Sequence, residues 1–374
     1  MAEYLTNTTD LEKVASAIRE KGGTSEPLVY PDGFVLAIQA IQTGTELKII
    51  VSVKSGATVT ATKGSLSVSG TAVNGTCTLT VPEAGTWTVK ATHNGQTSDT
   101  KSVTFTDHYA LSLSFVSAVL NDNDWAKIKS VSDAGQGANY WSIGDCKEIT
   151  LNGTVGALTL SNFTTYAFII GFNHNSAVEG ANRIHFQLAK TALSGGTDVA
   201  LCDSYYGNLG GGFRMNIGQT NSGGWENSHM RTAICGTNLS SYSGTIIAII
   251  PAALRAVLKS VTKYTDNTAN GGGSTASYIT ATTDYFFLLS EYEVFGTIRK
   301  GNKNESGKQA QYSYYSAGNS KVKYDHSATS TATSYGLRSP GADFRTDVVS
   351  VNTAGIVITY PANFSNGFAP GFCV

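Results

Sequence analysis

Three stretches carry side chains whose types and spacing could do chemistry. In GGWENSHMR, Glu226, His229 and Arg231 lie close together. The spacing predicts a helix over 225–234, on which Glu226 and His229, three apart, share a face. A carboxylate beside an imidazole can pass a proton or hold a metal. The same residues also make good scaffold. Trp225 would pack in the interior, while Glu226 and Arg231 pair there or bond loop amides, because a domain with long loops must satisfy its buried backbone groups. In SEYEVFG, read as strand to turn, Glu291 and Glu293 are two apart and would share a strand face. Two carboxylates flanking a bond are what a glycosidase needs. As scaffold, Glu291 lies beside apolar Phe287 and Leu289 and would pair with Arg338 or Arg231. The scaffold reading is preferred for both stretches.

The third stretch, Tyr335 to Val374, has rigid ends, LRSP and NGFAPGFCV, around residues of mixed and exposed character. Tyr, Asn, Asp and Arg on such a surface offer large contact area and adaptable hydrogen bonds at low entropic cost, and aromatic faces stack on sugar rings. The contact candidates are Tyr335, Asp343, Phe344, Arg345, Asp347, Asn352, Tyr360, Asn363 and Phe364. The frame candidates are Arg338, Pro340 and Cys373, together with Trp225, Glu226, Arg231 and Glu291.

Other chemistry has little support. The chain contains no GxSxG, P-loop or HExxH pattern, so no enzyme of those classes is expected. Cys77, Cys146, Cys202, Cys235 and Cys373 are widely spaced and form no CxxC pair, which argues against a tetrahedral zinc site. They read as buried thiols, with one disulfide between distant cysteines left open. Asp343 and Asp347 are the nearest pair of acidic residues in the C-terminal stretch and carry no calcium assignment. Neither a cofactor nor a metal is expected. A formal net charge of −1 supplies no basic field for nucleic acid or anionic membranes. The most apolar run, TIIAIIPAALRAVL, is interrupted by Pro251 and Arg255 and falls short of the roughly 18 apolar residues of a membrane span. The N-terminal residues MAEYLTNTTDLEKVA contain no apolar signal core, so synthesis in the cytosol is expected.

Charged residues make up only 14% of the 374, and the polarity comes instead from Ser, Thr, Asn and 40 Gly, a balance that favours strands and ordered loops. Three segments follow. Residues 1–44 read as a helical docking segment. Thr9 and Glu12 have capping-box spacing, and Leu11, Val14, Ala15 and Ile18 form an apolar stripe up to Gly22 and Gly23. A second short helix, FVLAIQAIQ, would follow. Two such helices bury too little surface to stand alone and should dock on another subunit or a larger assembly. Residues 45–116 alternate apolar and polar residues at period two between turn signals, as in an all-β sandwich of immunoglobulin-like kind with Trp87 in its core. Residues 117–374 mix short strands, a few helices and Gly-rich connections, which indicates an α+β domain whose loops carry the function. PAALRAVLKSVTKYT within it reads as a proline-initiated helix.

TTDLEKVASAIREKGGTSEPLVYPDGFVLAIQAI resembles the opening segment of phage structural and tail-associated proteins of Gram-positive gut bacteria. GATVTATKG and PEAGTWTVKATHNGQT resemble the Ig-like spacers of phage tail proteins. WSIGD, GGWENSHMR, FLLSEYEVFG, LRSP and GFAPGFCV, in that order, resemble a domain of unknown function of phage and bacterial surface proteins related to the C-type-lectin-like fold. LRSP with NTAGIVITYPANFSNGFAPGFCV is similar to the frame of the variable proteins of diversity-generating retroelements. These resemblances imply a phage virion protein with a receptor-binding domain, most simply at a tail tip or fibre. Its partners would be a host cell-surface glycan or protein and, through residues 1–44, other virion proteins. By analogy with fibres it would be a trimer. A capsid decoration or head-fibre protein of the same build is the first alternative, and a tail-associated glycoside hydrolase the second.

Overall fold

The computed structural model describes residues 8–22, 34, 46–201, 213–269 and 273–374. The chain divides into two compact units, Met1–Phe115 and Val116–Val374. Among the described residues the protein is β-rich, with 39% strand and 19% helix.

In the first unit, helix α1 spans Thr8–Gly22, so Thr9 lies inside the helix rather than ahead of it. Ala15 and Ile18 are buried together with Phe34, and Leu11 packs beside them. Val14 is 48% exposed, which makes the buried stripe narrower than the sequence pattern suggested. Apart from Phe34, the expected second helix lies outside the described residues.

Alternating residues then build two sheets. Strand β1 (Leu47–Ser52) pairs antiparallel with β4 (Thr76–Val81) and parallel with β8 (Tyr109–Ser112). The second sheet runs β3 (Leu66–Thr71), β2 (Thr58–Lys63), β5 (Gly85–His93) and β6 (Gln96–Thr97), with β7 (Lys101–Phe105) also on β5. The period of two delivers Cys77, Leu79 and Val81 from one sheet, and Trp87, Val89 and Ala91 from the other, into one core. Trp87 is fully buried, and its indole N–H donates to the Glu83 carbonyl at 3.1 Å.

The second unit is organised around an antiparallel sheet in the order β15 (Phe286–Phe287), β21 (Gly371–Cys373), β11 (Ile184–Lys190), β10 (Leu158–Phe172) and β9 (Cys146–Val155). The last residues of the sequence therefore form an interior strand, with His185 opposite Cys373 and Phe186 opposite Phe372. Phe372 stacks on Phe186 at 5.3 Å and meets Phe286 at 5.2 Å. Gly371 is required there, because a Cβ would lie 2.8 Å from the Phe287 ring. The amphipathic helix α2 (Trp125–Asp133), capped by the Asp124 side chain, covers this sheet through Trp125 against Phe186 and Phe372.

Smaller sheets attach to this core: the hairpin β13 (Val261–Asp266) with β14 (Ile279–Asp284), the set β12 (Val199–Ala200), β16 (Lys323–Asp325) and β17 (Ala328–Thr333), and the meander β18 (Tyr335–Pro340), β19 (Asp347–Val351) and β20 (Val357–Pro361). Two helix expectations are corrected. PAALRAVLKSVTKYT is helical only over Ala252–Arg255 and continues as β13, because Val261, Lys263 and Thr265 alternate inward on a β-branched run. Residues 225–234 form a turn that leads into a π-helical stretch, Met230–Cys235.

Candidate functional site

The meander presents the C-terminal candidates on a buried base. Val348 pairs with Tyr360 and Asp347 with Pro361. Leu337, Arg338, Val348, Val349 and Val351 face inward. The β18–β19 connection turns outward and exposes Asp343, Phe344 and Arg345, with Phe344 57% exposed. At the β19–β20 turn, the Asn352 side-chain oxygen accepts from the amides of Ala354 and Ile356, so Asn352 shapes the hairpin that exposes Ile356. Tyr360 and Phe364 are half-buried, and their rings stack at 6.5 Å. Asp347 and Asn363 are also half-buried. Tyr335 is corrected: it is only 1% exposed, so it belongs to the frame and not to the contact surface. Its position at the start of β18, opposite Val351, turns the ring into the core.

A residue outside the candidate set holds the exposed loop. Asn221 is buried, and its Nδ2 donates to the carbonyl oxygens of Gly341 (3.1 Å), Phe344 (2.7 Å) and Asp347 (2.7 Å). Its backbone N–H donates to the Arg345 carbonyl at 2.8 Å. Nearby, Asn216 N–H donates to Ala362, and Ala362 N–H to Thr346. The segment 213–221 thus forms a ledge under the loop. In sequence, Asn221 is one polar residue among turn formers, and nothing local distinguishes it.

Beneath the meander lies a fully buried ionic frame. Arg338 donates to both Glu293 carboxylate oxygens, through Nη2 to Oε1 at 2.8 Å and through Nη1 to Oε2. It also donates to the Leu288 carbonyl at 2.8 Å and to Thr265 Oγ1 at 2.9 Å. Lys263 donates to Glu293 (2.8 Å), Glu179 (2.7 Å) and Tyr312 Oη (2.9 Å), which uses all three ammonium hydrogens. Burial alone would raise the Glu293 carboxyl, but the charges of Arg338 and Lys263 outweigh it and hold the group well below the usual carboxylate range. Glu305, which accepts from Ser339 Oγ and the Asp266 amide, has less compensation, and burial pushes it up to about 7. The frame role expected of Arg338 therefore has a concrete form: its guanidinium ties β18 to helix α3 (Glu291–Phe295) and to β13.

The sequence placed the partners of this frame differently. Glu291 and Glu293 lie on a capped helix, not on a strand: Ser290 Oγ accepts from the Glu293 amide, and the Glu293 carboxylate accepts from the Ser290 amide. Glu291 pairs with neither Arg338 nor Arg231. Its carboxylate accepts from the backbone amides of Arg299, Lys300 and Gly301 at 2.6–3.1 Å and so shapes that loop. Glu226 is exposed and makes no pair with Arg231, which instead donates from Nη1 to the Glu226 backbone carbonyl. The buried partner is Asp284. Arg231 Nε donates to it at 2.6 Å, and the Trp225 indole N–H at 3.0 Å, so Trp225 and Arg231 keep their scaffold roles on a residue that sequence reasoning missed. Their spacing of 53 and 59 residues from Asp284 left no local signal. Pro340 is buried at the end of β18. Cys373 is a buried thiol, pushed up to about 12 chiefly by burial. Cys77, Cys146 and Cys235 are also free and buried, and Cys202 lies outside the described residues.

Comparison with known proteins adds one family. The model of a domain of unknown function (DUF6273) matches residues 205–374, which include the GGWENSHMR, SEYEVFG, LRSP and GFAPGFCV stretches. No curated protein matches the chain.

Proposed function

We propose that this chain is a non-enzymatic display protein of a phage virion, in which the meander of the second unit is a receptor-binding surface for a host cell-surface glycan or protein. The observation that carries the reading is the contrast within residues 335–364. Phe344 and Arg345 stand in solvent on a loop whose carbonyls are clamped by Asn221, while Arg338 in the adjoining strand is locked into a fully buried ion pair. A surface held this way loses little entropy when it binds. The immunoglobulin-like spacer, the C-type-lectin-like fold of the second unit, docking through residues 1–44, a trimeric state and diversification of the C-terminal stretch belong to the same proposal and rest on the sequence resemblances. The tail tip or fibre is the preferred position, and a capsid decoration is the alternative of the same build.

The glycosidase reading has weaker support. Glu291 is saturated by three backbone amides, Glu293 by two cations, and Glu226 lies apart on an exposed turn. None is placed as half of a carboxylate pair astride a bond. The test is binding of purified, labelled protein to host cells, with Phe344→Ala and Arg345→Ala variants. Exposed anchors of this kind should each lower affinity about tenfold or more without changing thermal stability. Binding that survives both substitutions, or release of reducing sugar from host envelopes, would defeat the proposal.

A further inference from the structure

A second cluster lies deep in the C-terminal unit and adjoins the buried frame at Glu179 and Tyr312. His174 stacks on Tyr312 at 3.7 Å, and its Nε2 lies 3.0 Å from the Ala310 carbonyl. A carbonyl only accepts, so this contact places a ring proton on Nε2, and in the neutral ring Nδ1 is a bare lone pair. That lone pair faces Glu179 Oε1 at 3.2 Å and makes no hydrogen bond, although the ring is buried. Two acceptors in contact in a dry interior are unfavourable unless a second ring proton or a metal ion lies between them, and the contact lacks the geometry of a hydrogen bond. Lys263 does not fill this place: its ammonium bonds the other oxygen of Glu179, Oε2, at 2.7 Å.

The remaining donors converge on the same point. His185, with no exposed surface, sits in β11 with Nδ1 3.8 Å from Glu179 Oε2 and 3.2 Å from Cys373 Sγ. One ligand atom from each of His174, Glu179 and His185 lies within 4.8 Å of the others. An ion about 2.1 Å from His174 Nδ1 and Glu179 Oε1 would subtend an angle of roughly 100°, near tetrahedral, and shifts of under about 1 Å each would close the set. Tyr312 Oη also reaches His185 Nδ1, at 3.1 Å, and can donate to it while accepting from Lys263, but zinc takes thiolates and not phenols, so the Cys373 thiol, 3.2 Å from the same nitrogen, is the fourth ligand. The ligands come from three separate stretches: the β10–β11 connection (His174, Glu179), β11 itself (His185) and the neighbouring strand β21 (Cys373).

We infer that His174, Glu179, His185 and Cys373 form a closed, structural binding site for a divalent transition metal of the zinc class. Two imidazoles, a carboxylate and a thiolate are the ligand types zinc takes, and full burial with four protein ligands is the structural rather than the catalytic form. Cys373 binds as thiolate, so the ion adds one net positive charge to a cluster in which Glu179 and Glu293 face Lys263 and Arg338. This departs from the sequence expectation of no metal, which weighed cysteine pairs, Glu226 with His229, and Asp343 with Asp347, but not single ligands inside apolar strands. Such an ion would staple the C-terminal strand to the β10–β11 connection.

The test is metal content and cobalt spectroscopy on the full chain. Protein expressed with added zinc, then dialysed against a weak chelator, should retain close to one zinc per chain. Refolding from a strong chelator with Co2+ should give a tetrahedral cobalt spectrum with a thiolate charge-transfer band. Cys373→Ser, nearly isosteric, should lose that band, and Glu179→Gln should lower zinc affinity by at least about 100-fold. Folded wild-type protein that takes up neither zinc nor cobalt overturns the site, and this arm needs no variant to fold. A cobalt spectrum without the thiolate band, or unchanged zinc affinity in folded Glu179→Gln, overturns it equally.

Discussion

Arg338 and Glu293 face each other with no exposed surface on either, and the guanidinium spans both carboxylate oxygens. A bidentate pair of this kind is strong only while both partners are present, because each is otherwise a buried, uncompensated charge. Arg338→Met should therefore destabilise the C-terminal unit by about 3–5 kcal/mol, and Glu293→Met by a similar amount. The double variant Arg338→Met/Glu293→Met should cost clearly less than the sum of the two, since it removes both charges and leaves neither stranded. Urea unfolding followed by the fluorescence of Trp125, Trp141 and Trp225 reads this out. Strictly additive costs would show that the pair is not coupled.

The pH dependence of stability should carry an opposite sign from the usual acid denaturation in one window, because of Glu305. Its folded-state pKa is raised from the ordinary 4.5 to about 7, so between those values the folded state binds more protons than the unfolded chain. Stability contributed by the neutral carboxyl is fully present below the unfolded value and is lost as pH rises through about 7, an effect of the order of 3 kcal/mol. Glu293 acts the other way: its depressed carboxyl loses stabilisation only as pH falls below the ordinary carboxylate range, so the two windows do not overlap. Glu305→Gln, which keeps one acceptor oxygen for the Asp266 amide and turns the other into an NH2 group that can donate to Ser339 Oγ, should flatten the profile between pH 5 and 8. Denaturation midpoints at these two pH values test it, and an unchanged slope would assign the effect elsewhere.

What was legible in the sequence divides along the same line as local and distant contact. The sandwich strands were readable because period-two alternation is a local pattern, and Trp87 fell in its core for that reason. Arg338 and Cys373 were readable as frame because they sit in a rigid run beside aromatic and small residues. Their partners were not, since Glu293 lies 45 residues from Arg338 and His185 188 from Cys373. A usable signal did exist: His185 and Gln187 interrupt an otherwise apolar buried strand, Lys263 lies at an inward position of β13, and polar groups in such places must have partners. Tyr335 was misplaced because tyrosine is as common on binding surfaces as in cores, and only its pairing with Val351 decides the matter.

Asn221 should control the presenting loop without touching a ligand. Asn221→Ala removes the donor to three carbonyls and leaves them inside the loop, at a cost of about 1–3 kcal/mol. Hydrogen exchange at Gly341 and Asp347, whose amides bond within the same loop, should accelerate, while exchange in β11 stays slow. Binding to host cells should weaken even though Phe344 and Arg345 are intact. Unchanged exchange at Gly341 would show that the loop holds its shape without the clamp.

Glu291 separates the scaffold role from a catalytic one. Its carboxylate accepts backbone N–H groups at both oxygens, from Arg299 and Lys300 at Oε1 and from Lys300 and Gly301 at Oε2. Glu291→Gln is nearly isosteric, but it turns one of these oxygens into an NH2 group that points donor to donor at the amides. The loss should be about 2–3 kcal/mol, because hydrogen bonds to a charged acceptor are replaced by a repulsive contact. Arg299 and Lys300 are both exposed, so trypsin reports directly on the loop they occupy. The wild-type protein should resist cleavage there, since a protease needs the backbone extended and these amides are tied to Glu291. The variant should be nicked after Arg299 or Lys300 at least several-fold faster, while the Phe344 surface continues to bind. Faster nicking with binding intact is what a scaffold carboxylate produces. Equal nicking rates, with loss of a sugar-releasing activity, would instead return Glu291 to the catalytic reading.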